Sequence, residues 1–388
     1  MMQFPTRYLD LHPDETLNYA LNRWLPYWEE NDVRELASGI SGYEDWVPAM
    51  RAAAGKAQEE GRQQAAAFFY RATEFFMSWA DPERHGLYHA YLDLFYEANA
   101  GVPHTQHEIP YDGGVLPVLT LDAEGASRGT LLIHGGFDSS MEEFFHMADA
   151  IRRDGYNVVL FEGPGQGGAI AHHGITMPHD WERPVAMVLD HFGISECALM
   201  GISLGGYLSL RAAAHEPRIK QVIQCDVMED FRECMLARLP EKTQNLVNRL
   251  CDWNAAFAVN ALFGLAVRKE PFTRWALEHA FKVSGTHSAY GLLEWMEDFN
   301  TRGFSARITQ PVLTMAGTHD HLVPFSQIHR QIDTLTNAQS VTARIFTRRE
   351  EAQNHCQVGN LNSLLAELKS WMAAHVSAPQ AGADAGWA

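Results

Sequence analysis

The chain changes its hydrophobic rhythm along its length, and those changes divide it before any residue is singled out. Up to residue 105, apolar side chains recur at spacings of three and four. Tyr19, Trp24 and Trp28 follow Asp14, a candidate helix cap; Phe68, Phe69, Ala72, Phe75, Phe76 and Trp79 form a second stripe; Tyr88, Tyr91, Leu92, Phe95 and Tyr96 form a third after the break at Asp81-Pro82. This is the period of amphipathic helices, whose apolar stripe is first of all a packing surface. Residues 1–105 are therefore expected to be an all-helical N-terminal domain.

From residue 106 the pattern becomes short apolar runs separated by helical ones. A hairpin is predicted around Asp112-Gly113-Gly114, joining His107–Pro110 to Val115–Leu121. Buried strands follow at Gly129–His134, Asn157–Phe161, Cys197–Gly201 and Gln221–Gln224, with helices near Met141–Arg153 and Trp181–Phe192 between them. Such alternation implies an α/β fold, a mostly parallel sheet with helices on both faces. Residues 106–225 make its first part, and residues 306–376, with strands at Pro311–Ala316 and Ser340–Phe346, make its second. Between them, residues 226–305 read as a helical cap insertion, too long for a plain loop. Its aromatics, Trp253, Phe257, Phe263, Phe272, Trp275, Phe281, Tyr290, Trp295 and Phe299, are expected either to enclose a substrate or to form the cap's own core. The tail at 377–388, SAPQAGADAGWA, reads as disordered.

Composition narrows the function. The 388 residues are 46% hydrophobic and 20% charged, an ordinary globular balance. A formal charge of -18 opposes phosphate backbones and anionic lipid, so nucleic acid and membrane are not expected partners. The odd set of Cys197, Cys225, Cys234, Cys251 and Cys356 has no C-x-x-C spacing, which fits reduced thiols in the cytoplasm. No export signal and no long apolar span is evident.

The sharpest chemical signal is Gly201-Ile202-Ser203-Leu204-Gly205-Gly206, placed between a predicted strand and a predicted helix. G-x-S-x-G in that context holds a serine on a strained turn, with glycines where side chains would collide with neighbouring elements. A serine hydroxyl needs a base, and the base needs a carboxylate to fix its tautomer. Asp320, in AGTHDHLVP, and His355, in EEAQNHCQVGN, each follow a late strand in the required order of serine, acid, histidine. Glu162 and Asp226 are substitute acids. Oxyanion donors are expected from the backbone N–H groups of Leu204 and Phe137, with Gly136 as the alternative, in Ile133-His134-Gly135-Gly136-Phe137.

Other motifs are set aside. Gly163-Pro164-Gly165-Gln166-Gly167-Gly168 imitates a dinucleotide loop, but proline interrupts it and no apolar helix is expected to open from it. His319-Asp320-His321 and His172-His173 have no third ligand at helical or finger spacing, so no metal is expected. No cofactor is expected either, and Cys356 reads as a packing residue.

The combination of a helical N-terminal region with IHGGFDSSMEEF, LFEGPGQGG, GISLGG, GTHDHLVP and NHCQVGN resembles the α/β-hydrolase family that includes bacterial 2,6-dihydroxypseudooxynicotine hydrolase. It is similar as well to the fungal polyketide-shortening hydrolases of melanin pathways and, more distantly, to fermentation-respiration-switch-like esterases. The resemblance implies the α/β-hydrolase fold, a Ser203, Asp320, His355 triad, and hydrolysis of an ester or of a carbon-carbon bond next to a ketone. It also implies an auxiliary acid after the sixth strand, with Glu229, Asp230 and Glu233 as counterparts. The expected function is a cofactor-free serine hydrolase acting on a bulky, partly aromatic small molecule. A lyase or cyclase on a polyketide-like substrate, and a silent ligand-binding protein, are the alternatives. Whether the protein is a monomer or a homodimer is open.

Overall fold

A computed structural model describes residues 4–376, so the expectation of a disordered tail at 377–388 lies outside the described residues. Five helices come first: α1 (Glu15–Arg23), α2 (Glu30–Ser38), α3 (Tyr43–Glu59), α4 (Gln63–Phe75) and α5 (Arg84–Ala98). Asp14 caps α1 as expected, its Oδ1 accepting the N–H groups of Thr16 (2.9 Å) and Leu17 (3.0 Å).

The alternating part follows. The hairpin is β1 (Thr105–Tyr111) and β2 (Gly114–Leu121). After it come β3 (Thr130–His134), α6 (Phe145–Arg152), β4 (Asn157–Phe161), α7 (Gly167–Ala171), α8 (Glu182–His191), β5 (Cys197–Ile202), α9 (Gly205–Ala213) and β6 (Ile219–Cys225). Helices α10 (Phe231–Ala237), α11 (Glu241–Asp252), α12 (Ala256–Lys269), α13 (Pro271–Ser284) and α14 (Ala289–Glu297) then interrupt the sheet. It resumes with β7 (Pro311–Gly317), α15 (Ser326–Thr334), β8 (Ser340–Phe346) and the closing α16 (Leu361–His375). Helix α7 corrects one expectation, because a short helix does open from the glycine-rich segment.

The eight strands form one sheet in the order β1-β2-β4-β3-β5-β6-β7-β8. The β1–β2 and β2–β4 pairings are antiparallel and the others parallel. Strands β5 and β7 are buried at every position, which is why they read as unbroken apolar runs. Edge strand β1 instead exposes Glu108 and Pro110, residues that discourage pairing with another chain.

The period-two alternation of the strands splits the interior. Leu131, Ile133, Ala198 and Met200 join a core continuous with the N-terminal helices, α6 and α16. Leu132, Val159, Leu199 and Val222 join a second core with α8, α9 and the interrupting helices. No described helix is long and apolar enough to cross a membrane.

Candidate active site

Ser203 stands at the turn between β5 and α9 with φ of 63°, a left-handed conformation that costs on the order of 1–3 kcal/mol for a non-glycine residue. The chain can make that turn because its flanks lack side chains. A Cβ at Gly201 would strike the Gly205 carbonyl, and one at Gly206 would strike the Asp226 carbonyl. The Ser203 N–H donates to Cys225 O at 2.5 Å, which fixes the turn to the end of β6.

His355 lies in the loop after β8, buried, with Nε2 2.8 Å from Ser203 Oγ. Its Nδ1 is 2.7 Å from Asp320 Oδ2, while Asp320 Oδ1 accepts the N–H groups of Leu322 (2.7 Å) and Val323 (2.9 Å). The three residues chosen from sequence order are thus one continuous hydrogen-bonded chain. A second carboxylate joins them. Asp226 Oδ2, just past β6, is 3.2 Å from the same Nδ1 and also accepts the N–H of Cys356 at 2.5 Å, and Asp226 Oδ1 accepts Gln357 Nε2 at 2.9 Å.

Burial alone would lower the pKa of His355, but the two facing carboxylates outweigh it and hold the imidazole well above its ordinary value. The acids divide the burden. Burial would raise Asp226, yet the donors from His355, Cys356 and Gln357 hold it below the usual carboxylate range. Asp320 is pushed up by burial, and the neighbouring Asp226 charge adds to that push against the pull of His355.

The oxyanion expectation can be followed atom by atom. Gly136 packs directly on the serine turn, where a Cβ would stand 2.7 Å from both Ile202 O and Leu204 N. Gly136 N–H donates to Ser139 Oγ at 3.2 Å, whereas the N–H groups of Phe137 and Leu204 have no acceptor among the described residues. The glycine-rich segment, set aside in the sequence, has a positional use here. Buried Gln166 donates through Nε2 to Gly135 O (2.7 Å) and Gly136 O (2.9 Å), and its Oε1 accepts Gly163 N–H (3.0 Å). Glu162 accepts the N–H groups of Met141 and Gly168, so it supports this loop and is not an acid for His355.

Glu229, Asp230 and Glu233 are not brought to the site. Glu229 pairs with Arg330 at 2.9 Å, Glu233 pairs with the same arginine, and Asp230 pairs with Arg302 while capping α10. None of the three lines the cavity at Ser203. The acid just after β6 that does face the histidine is Asp226, named from the sequence as a substitute for Asp320.

That cavity, about 110 Å³, is bordered by Ser203 and His355 and walled by Tyr19, Tyr27, Phe144, Met147, Leu322 and Leu361 among others. Tyr19 and Tyr27 come from the N-terminal region, and Tyr19 OH also donates to His355 O at 3.4 Å. None of the nine aromatics between 253 and 299 lines it, so of the two expectations held for them the enclosing one is not met at this cavity. Cys356 also lines the cavity, beside the imidazole, and so is more than a packing residue. Sequence reading missed Tyr19 as a wall residue because its stripe is equally that of a core helix.

The N-terminal helices hold the loop after β3 by charge. Arg23 pairs with Asp138 (3.0 Å) and Glu143 (2.7 Å), and Arg71 reaches Asp138 O (2.6 Å) and Glu143 (3.1 Å). A serine aligned with a neutral-capable imidazole, two spare amide donors and an apolar cavity is an arrangement suited to acyl transfer.

Comparison with known proteins gives the family and the fold. Residues 130–353 match the family described as alpha/beta hydrolase fold. Hydrolase acrC of Aspergillus aculeatus is 35% identical over 192 residues, 46% of this chain and 44% of that protein. The 20-hydroxy-prefusarin hydrolase FUS2 of Gibberella moniliformis is 30% identical over 312 residues, 70% of this chain and 72% of that protein. The matches to the first curated relatives span about half of their length, 44%, 58% and 57%. The crystal structure of the 2,6-dihydroxy-pseudo-oxynicotine hydrolase superposes with a TM-score of 0.66 at 19% identity, covering 92% of this chain and 95% of that one, a likeness of fold.

Proposed function

Since the chain belongs to the alpha/beta hydrolase family, we propose that it is a serine-nucleophile hydrolase acting on a bulky, largely apolar ketone or ester. The observation that carries this is the unbroken path from Ser203 Oγ through His355 to Asp320, opening on an apolar cavity.

In this reading Ser203 Oγ attacks the substrate carbonyl carbon and its proton passes to His355 Nε2. The carbonyl oxygen becomes an oxyanion held by the Leu204 and Phe137 N–H groups. His355 then returns the proton to the departing group, which is an alkoxide for an ester or an enolate-stabilised carbanion for a carbon-carbon bond. Water, deprotonated by His355, releases the acyl half as a carboxylic acid and restores Ser203. Because Glu229, Asp230 and Glu233 are occupied by arginines, His355 is the proton donor for either leaving group. The name of the relative FUS2, a prefusarin hydrolase, supports hydrolysis as the reaction class.

The test is product analysis in heavy-oxygen water, using an aryl 1,3-diketone and a nitrophenyl ester in parallel. One labelled oxygen in the carboxylic acid product, together with fluorophosphonate labelling that disappears in Ser203→Ala, is the expected result. Product formed without label would move the assignment to a lyase or cyclase. Ester turnover with no diketone cleavage would narrow it to a carboxylesterase.

A further inference from the structure

Away from Ser203, three histidines from distant parts of the chain meet. His85 and His89 stand one turn apart on α5, with their Nε2 atoms 3.0 Å from each other. His172 caps the C-terminus of α7, the short helix that opens from the glycine-rich segment. One ring nitrogen from each lies within 4.8 Å of the other two. The ring centroids are 4.4, 5.2 and 4.8 Å apart. In the sequence, His172-His173 had no third ligand, because the missing partners are on a helix of another region.

We propose that His85, His89 and His172 form a binding site for a divalent transition metal ion of the zinc, cobalt or nickel class, which ties the N-terminal helices to the core. Two nitrogens bound at about 2.1 Å to one ion stand roughly 3 to 3.4 Å apart, and the His85–His89 pair already has that spacing. Closing the remaining separation to the His172 nitrogen, within 4.8 Å, would complete a three-nitrogen face. Among the described residues none of the three rings has a hydrogen-bond partner outside the cluster, so all three have lone pairs to offer. An all-imidazole set with no carboxylate or thiolate selects borderline ions over calcium or magnesium. His85 and His89 are exposed, which lets the ion enter and leaves its remaining positions to water. The consequence for the fold is local and specific. The ion would clamp α5 to the segment whose Gln166 holds the carbonyls of Gly135 and Gly136.

The test uses the full chain without an affinity tag, stripped with a chelator and titrated with cobalt(II), followed by visible absorption. Saturable ligand-field bands at one equivalent are expected, without the thiolate charge-transfer band that binding at the Asp226, His355 and Cys356 cluster would produce. His172→Ala and His89→Ala should each weaken binding at least about tenfold with unchanged circular dichroism, while the neighbouring His173→Ala leaves it intact. Zinc should raise the unfolding midpoint of the wild type and not that of His172→Ala. Wild-type affinity in the His85→Ala/His89→Ala double variant, an equal loss in His173→Ala, or no saturable bands would each overturn the site.

Discussion

Helices α1–α5 and helices α10–α14 carry similar aromatic stripes, yet they relate to Ser203 in opposite ways. Tyr19 on α1 and Tyr27 in the turn after it border the Ser203 cavity, while Arg23 holds the loop after β3 through Asp138 and Glu143, and Arg71 through Glu143. The second group turns its aromatics elsewhere. Phe299 packs against Tyr207, Phe231 and Trp295, Trp275 donates to Phe75 O at 2.7 Å, and Trp253 and Phe257 are 72% and 88% exposed. The acids of the second group are likewise held by Arg302 and Arg330. Equal periodicity therefore hides unequal roles, because a helical stripe reports that a face is covered and is silent about what covers it.

The contrast is broken most directly at Ser203. Ser203→Ala should lower turnover by roughly 10⁴-fold or more without unfolding the protein, and near-wild-type turnover would mean that the cavity walled by Tyr19 and Tyr27 is not the site.

Ion pairs sharpen it next. Arg71 is 5% exposed and pairs with Glu74 and Glu143, so Arg71→Met should cost about 3 kcal/mol in chemical denaturation by leaving buried carboxylates short of a partner. Arg302 on the other side is 63% exposed, and Arg302→Ala should cost under about 1 kcal/mol. Equal losses would dissolve the distinction.

A smaller effect is expected at Gln166, whose side chain holds the carbonyls of Gly135 and Gly136. Gln166→Ala should reduce kcat by about 10²-fold with KM little changed, since a small misplacement of positioned groups has that scale of cost. A loss confined to KM would argue for a binding role instead.

The acid limb of the pH profile tests the second carboxylate. His355 serves as base only when neutral, and the two carboxylates hold its pKa above the ordinary value, so kcat/KM should fall as pH drops through that raised value. Asp226→Asn removes one of the two charges and should move the limb to lower pH while keeping most of the plateau rate. Asp320→Asn should depress the plateau itself by imposing the wrong tautomer. If the two variants behave alike, the acids are interchangeable.

The smallest effect is expected in the exposed part of the second helical group. Trp253→Ala and Phe257→Ala should leave stability within about 0.5 kcal/mol and turnover unchanged. A marked loss of turnover would bring that region back to the substrate.

The strands were legible because burial on both faces demands unbroken apolar runs, as in β5 and β7. The serine turn was legible because glycines at 201, 205 and 206 mark one tight bend, where a Cβ would strike Gly205 from 201, the Gly135 carbonyl from 205 and the Asp226 carbonyl from 206. The acid and base could be placed because the chain order of this architecture restricts which loops meet the serine. Asp226 was visible only as a substitute, since the residue letter does not say which of two loops presses a carboxylate on His355 Nδ1. Glu229, Asp230 and Glu233 could not be told apart in the sequence for a related reason: each found an arginine, Asp230 taking Arg302 at a separation of 72 residues and Glu229 and Glu233 taking Arg330 at separations of 101 and 97.

The sequence by itself determined what is local or periodic: the helical and strand rhythms, the cap at Asp14, the turn at Ser203 and the succession of serine, acid and histidine. Tertiary structure alone decided which covered face meets which partner. It brought Tyr19 to the cavity, Gln166 under Gly135 and Gly136, Asp226 beside Asp320, and His85 and His89 to His172. The physical reason is that periodicity encodes the free-energy gain of removing a face from water, which is nearly indifferent to the partner, whereas a hydrogen bond or ion pair depends on distances that only the packed chain sets.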